Sequence, residues 1–160
     1  MVFLTSFIES LQLPKKKSVF KLNRIGMDIV VIYMFIVLAI VSLPTLLNQI
    51  KNSSELSIEI GPFFYLIYFF IFHYLVIVVL IFIVISIIAY IATKLTHLSG
   101  RKLHYSVLWK MSAFSTTLPF LLYTILAFFY NLNDNFLWLS FFYTFLLLYK
   151  IITIYPKRKK

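Results

Sequence analysis

Cysteine is absent from the sequence, which excludes disulfides, thiolate metal ligands and palmitoylation together. Charge is nearly as scarce: Asp, Glu, Lys and Arg make up 12% of the residues, against roughly 25% in a water-soluble domain. Glycine occurs three times, at Gly26, Gly61 and Gly100, each isolated, so no phosphate-cradling glycine loop can be built from them. H-E-x-x-H and G-x-S-x-G are missing too. An enzyme needs convergent polar groups, and with so few of them no catalytic residue, cofactor or metal is expected. His97 and His104 stand seven residues apart and could share a helix face. Without a third ligand nearby they read as solvated loop histidines.

What the chain does have is apolar residue in excess, 62% where a soluble domain has roughly 45–50%. Long apolar runs account for it, since about 20 residues span the roughly 30 Å hydrocarbon layer of a bilayer. The expected fold is an all-α integral membrane protein, a single membrane domain over 1–160 with four transmembrane helices at 27–47, 63–92, 107–130 and 136–155. A short interfacial amphipathic helix is expected before them, over 2–13. There Phe3, Leu4, Phe7, Ile8 and Leu11 fall within one stripe of about 140°, with Thr5, Ser6, Glu9, Ser10 and Gln12 on the other side. Pro14 and Lys15 to Lys17 end it at the headgroups. This apolar stretch precedes the positive charges and runs into Pro14, unlike a cleavable signal, so the first span reads as a retained anchor.

The second span is apolar for about 30 residues, or about 45 Å as a helix, so a tilted helix with an aromatic outer end from Phe63 to Phe72 is expected. Thr93 to Ser106 reads as a basic loop broken at Gly100. Asn131, Asn133 and Asp134 mark a tight turn that makes the last two helices antiparallel neighbours.

The net charge of +10 would raise the question of nucleic acid in a soluble protein. Here the basic residues flank apolar segments and no nucleic-acid-binding module is present, so topology and anionic lipid account for them and nucleic acid is not an expected partner. Lys15, Lys16, Lys17, Lys21 and Arg24 precede the first span, Lys94, Arg101 and Lys102 lie between the second and third, and four basic residues close the chain. The two opposite loops hold only Lys51. The positive-inside rule then puts both termini and the middle loop in the cytoplasm, with the five N-terminal cations as contacts to anionic headgroups.

Polar groups within a span are candidates for function because they cost free energy there. Asp28, His73, Lys110 and Lys150 qualify. His73 reads either as a proton-relay or substrate group, or as a neutral histidine bonded to a neighbouring helix or held near the outer headgroups, and the second is favoured. The two lysines either snorkel to the interface, the favoured reading, or pair with Asp28. In the third span, Pro119 cannot donate to the carbonyl of Ser115, and the hydroxyls of Ser115, Thr116 and Thr117 stand ready to satisfy a loosened backbone. Ser112, Thr116, Pro119 and Tyr123 share one face, matched by Ser140, Tyr143 and Thr144 in the fourth span. A kinked packing seam is favoured over a transport pathway.

Two stretches, FIESLQLPKKKSVFKLNRIGMDIVVIYMFIVLAIVSLPT and GRKLHYSVLWKMSAFSTTLPFLL, resemble a family of uncharacterised multi-pass membrane proteins, mostly from Gram-positive bacteria. Some of its members are labelled maltodextrin-utilisation proteins from their gene neighbours. The resemblance covers roughly residues 3 to 47 and 90 to 130, and family members commonly carry a longer segment where 48 to 61 stand here. It implies the bacterial plasma membrane and an association with transport systems, and it brings no catalytic residues. The expected function is a non-enzymatic accessory or scaffold protein whose partners are membrane lipids and a transporter subunit or further copies of itself. A small oligomeric transporter and a lipid-binding protein are the rivals.

Overall fold

The computed structural model describes residues 2–52, 61–101, 103–129 and 135–156. Every regular element among them is helical: α1 (Val2–Leu11), α2 (Lys16–Asn23), α3 (Met27–Asn52), α4 (Pro62–Phe69), α5 (Leu75–Leu98), α6 (Tyr105–Ser115), α7 (Thr117–Phe129) and α8 (Asn135–Ile154). A π-helical stretch, Phe70–Tyr74, joins α4 to α5 without a break. Three helical runs are long and apolar enough to cross a membrane: Met27–Ile50, Phe63–Leu98 and Tyr105–Phe129. In α8 the apolar part, Leu139–Ile154, is shorter. The expected Asn131 to Asp134 turn, Lys102, the outer loop from 53 to 60 and the last four residues lie outside the described residues.

The bundle is organised around α6. Its residues from Leu108 on, and the first of α7, are buried in unbroken succession through Thr117. A helix with one apolar stripe cannot do this; one enclosed on all sides can. Helices α1, α2, α3, α5 and α8 all pack on it. Small buried residues, Ser112 and Ala113 on α6 with Ala89 and Ala92 on α5, permit the close backbone approach that drives helix association in lipid.

Two expectations about the chain's course are corrected. The segment from Thr93 is not loop: α5 runs on to Leu98, so Lys94 and His97 ride on helix. It stops where Gly100 takes φ +65°, with the Gly100 amide donating to the His97 carbonyl and that of Arg101 to Thr96. That pairing is a Schellman stop, which satisfies the last free carbonyls. From Phe63 to Leu98 the helix holds 36 residues, about 54 Å at 1.5 Å per residue, well beyond the hydrocarbon thickness. The second is an omission: α2 is a helix in the basic stretch for which only headgroup contacts were expected. Val19 and Leu22 anchor it, fully buried, and Phe20 meets the Tyr155 ring at 5.3 Å just beyond α8.

The expected interruption of the third span is present. The helix breaks at Thr116, three residues before Pro119, whose missing amide leaves the Ser115 carbonyl without its usual donor. Pro119→Ala restores that donor and is expected to merge α6 and α7. Spin labels at Ser106 and Leu126, both exposed, should then move toward the roughly 30 Å of a continuous helix. An unchanged distance would remove Pro119 as the cause.

Candidate functional site

The N-terminal helix is where the structure departs furthest from the sequence pattern. α1 is helical over nearly the expected residues, but part of its polar side meets protein: Ser6, Glu9 and Ser10 are buried, while Leu4 and Ile8 are 69% and 53% exposed, Thr5 and Gln12 are exposed too, and Phe7 packs against the core. An amphipathic pattern states that two faces need different media, not which of them meets the protein. Beside lipid-facing helices the outer medium is hydrocarbon, so the polar face finds its partners within the bundle. Those partners belong to α2 and α3.

Ser10 Oγ lies 3.2 Å from the Tyr33 hydroxyl, which lies 2.9 Å from Thr117 Oγ1. Ser10 already donates to the Phe7 carbonyl at 2.7 Å, and each hydroxyl has one proton. The direction follows: Thr117 donates to Tyr33, Tyr33 to Ser10, and Ser10 to the backbone. Tyr33 is 3% exposed and its ring meets Phe114 at 5.3 Å. Thr116 turns the other way, donating to the Ala113 carbonyl at 2.8 Å. Of the three hydroxyls expected to satisfy the loosened backbone, only this one does so. Ser115 Oγ is buried with no partner among the described residues.

The end of this cluster nearest α2 is closed by charge. Lys21 of α2 pairs with Glu9 of α1, the one ion pair among the described residues. Its hydrogen bond, then one from Ser18, hold the Glu9 carboxyl below its ordinary value of 4.5, against the opposing effect of burial. The charged carboxylate is therefore the form that favours the docked hairpin. Its contribution is present in full above pH 4.5 and is lost as pH falls through the lowered value. A fluorophore on Leu4 should report α1 loosening on acidification below that range, and Glu9→Gln should abolish the transition.

Lys110 neither snorkels nor pairs with Asp28. It is 8% exposed and donates to the carbonyls of Asn23 at 2.6 Å and Ile25 at 2.9 Å, closing the C-terminal end of α2, where a cation also suits the helix dipole. Asp28 and Lys150 are exposed and unpaired among the described residues, as are Lys15, Lys16, Lys17 and Arg24. His73 sits in the π-helical stretch with its ring 4.8 Å from that of Phe69. Its Nε2 is buried with no partner among the described residues, so the expected bond to a neighbouring helix is not made. His97 and His104 are exposed, and no three metal-ligating side chains cluster among the described residues.

The two hydroxyl stripes do face each other: Thr116, Ser140 and Thr144 line one narrow crevice. Their hydroxyls bond carbonyls of their own helices, Thr144 to Ser140 at 2.8 Å and Ser140 to Phe136 at 3.0 Å, and not each other. The crevice meets a cavity of about 430 Å³ among α3, α5, α7 and α8. On the outer surface, a groove of about 760 Å³ runs between α3 and α5 with Trp109 against it. The Trp109 indole stacks on Phe82 at 5.6 Å and donates to Ser86 at 3.1 Å. Tyr33, Ser10 and the Trp109–Ser86 pair were not singled out from the sequence. A tyrosine one quarter of the way into an apolar span, with a Ser/Glu/Ser face upstream, was the available signal.

No curated protein and no solved structure matches the chain. The family described as "Protein of unknown function (DUF1189)" matches residues 48–156, more than half the sequence. The match takes in the stretch from 90 to 130 whose resemblance to an uncharacterised family was noted above, while residues 3 to 47 lie before it. On that match the chain belongs to the DUF1189 family, whose function is unknown.

Proposed function

We propose that this protein is a non-enzymatic accessory or scaffold of the bacterial plasma membrane, with four spans and both termini cytoplasmic, that holds a transmembrane helix of a transporter subunit. The groove between α3 and α5 carries this reading. Of the most apolar part of the Phe63–Leu98 helix only 22% is buried in the chain, against 44% and 50% for the other two long runs. The groove follows this helix from Val78 to Tyr90, about 18 Å at 1.5 Å per residue, long enough to seat three turns of a partner helix. Midway along it the Ser86 hydroxyl is engaged as donor to Phe82 O and as acceptor from Trp109, and the other hydroxyl of the groove, that of Tyr90, stands at its end, so the length between presents apolar surface to a partner. The basic clusters would keep this face at a fixed depth through anionic headgroups.

A photo-crosslinking side chain at Val79 or Ile87, both in the groove and the first of them 49% exposed, tests the proposal in native membranes. Reproducible capture of a transporter subunit from these positions, and not from Phe142 on α8, is the expected outcome. Capture of lipid alone or of further copies of this chain would reject it.

A further inference from the structure

The cavity among α3, α5, α7 and α8 has a chemistry of its own. At about 430 Å³ it falls within the roughly 300–1,000 Å³ of small-molecule sites, which are mostly apolar with a few placed polar groups. Its walls fit that description: Ile81, Val84 and Phe120 line it, and among the described residues no Lys, Arg, His, Asp or Glu does. A charged head would enter a low-dielectric space without a counter-ion, which excludes carboxylates, phosphates and ammonium groups.

The polar groups that do line it are hydroxyls, Ser42, Thr45, Tyr123 and Ser140. Ser42 donates to the Ala39 carbonyl at 2.8 Å and Ser140 to that of Phe136, so both offer the cavity lone pairs only. The Tyr123 hydroxyl has no hydrogen-bond partner among the described residues and can also donate. A ligand head must therefore both donate and accept, as an alcohol does. Ser42, Thr45 and Tyr123 lie in the halves of α3 and α7 away from the basic clusters, and Ser140 lies in the first turns of α8. From there the narrow crevice leads inward to Thr116 and Thr144.

We infer that this cavity binds the hydrocarbon tail of an uncharged amphiphile with a hydroxyl-bearing head, of the monoacylglycerol or long-chain alcohol class, taken from the leaflet opposite the basic clusters. The head exchanges hydrogen bonds with Tyr123, Thr45 and Ser42, and the tail lies along Ile81, Val84 and Phe120. The inference is independent of the groove on the other side of α5.

The test uses the full chain in phosphatidylcholine nanodiscs with a diazirine-tailed monoacylglycerol as probe. Labelling should concentrate on the cavity-lining peptides and be competed by unlabelled monoacylglycerol. Tyr123→Phe should weaken it by about fivefold, the loss of one hydrogen bond. Ile81→Trp, which fills the space, should reduce it by about tenfold or more; Leu80→Trp, at the exposed lip, serves if that variant does not fold. The matching fatty-acid probe, with a carboxylate head, should label weakly. Labelling spread evenly over the lipid-facing surface, equal labelling by the fatty acid, or labelling untouched by a cavity-filling tryptophan would each overturn the assignment.

Discussion

Phe114→Ala is expected to destabilise the bundle by about 3–5 kcal/mol, the cost of emptying a phenylalanine site that its surroundings cannot collapse to fill. Phe114 is fully buried, it sits on the helix that all the others enclose, and its ring packs on Tyr33. Lipid cannot enter to replace it, and dispersion contacts are the main source of helix association in a bilayer. Unfolding in mixed micelles, followed by tryptophan fluorescence, measures the loss. Phe142→Ala on α8, 66% exposed, is the control and should change stability little. Equal effects at the two sites would mean that α6 is not the enclosed helix.

Lys110→Met is the second substitution with a large effect, at about 2–4 kcal/mol. It keeps the length of the side chain but strips the donors from the carbonyls of Asn23 and Ile25, and each buried acceptor left without a partner costs about 1–3 kcal/mol. The damage should be local to the α2–α3 junction, so protease cleavage there should accelerate along with the loss of stability. A lysine that merely snorkelled would be replaced at almost no cost. Lys150→Met, at an exposed position on α8, shows what that null effect looks like.

The long apolar helices were legible because continuous hydrocarbon along a chain has one medium to meet, and the break before Pro119 was legible because a missing amide acts locally. What escaped had physical reasons of other kinds. The burial of Ser6, Glu9 and Ser10 of α1 against protein depends on what lies beside the helix, and periodicity carries no information about that. α2 is short and basic, and its two buried anchors, Val19 and Leu22, are too few to form a pattern. The role of Lys110 is invisible because its partners are backbone carbonyls, which leave no mark in the order of side chains. Of the two neutral placements weighed for His73, the hydrogen bond across helices is not made: its ring, in the π-helical stretch at Phe70–Tyr74, lies against Phe69. Thr116, Ser140 and Thr144 share one crevice among α5, α7 and α8, yet helix backbone claims their protons.

The burial of the polar residues of α1 has a thermodynamic consequence. Seated in the bundle, the helix presents Leu4 and Ile8 to hydrocarbon; lying free on the membrane surface, it would bury those same side chains in the same hydrocarbon. The hydrophobic effect is then nearly silent between the two positions, since the apolar area removed from water is alike in both. What separates them is the contact of Ser10 with Tyr33, the pairing of Glu9 with Lys21, and the exchange of water for protein around one polar face. An equilibrium of that make-up has a small heat-capacity change and responds to salt and proton concentration rather than to temperature. Apart from Phe7, which packs against the core, α1 is thus tied to the bundle by its polar face, where the enclosed helix α6 is held by packing on all sides.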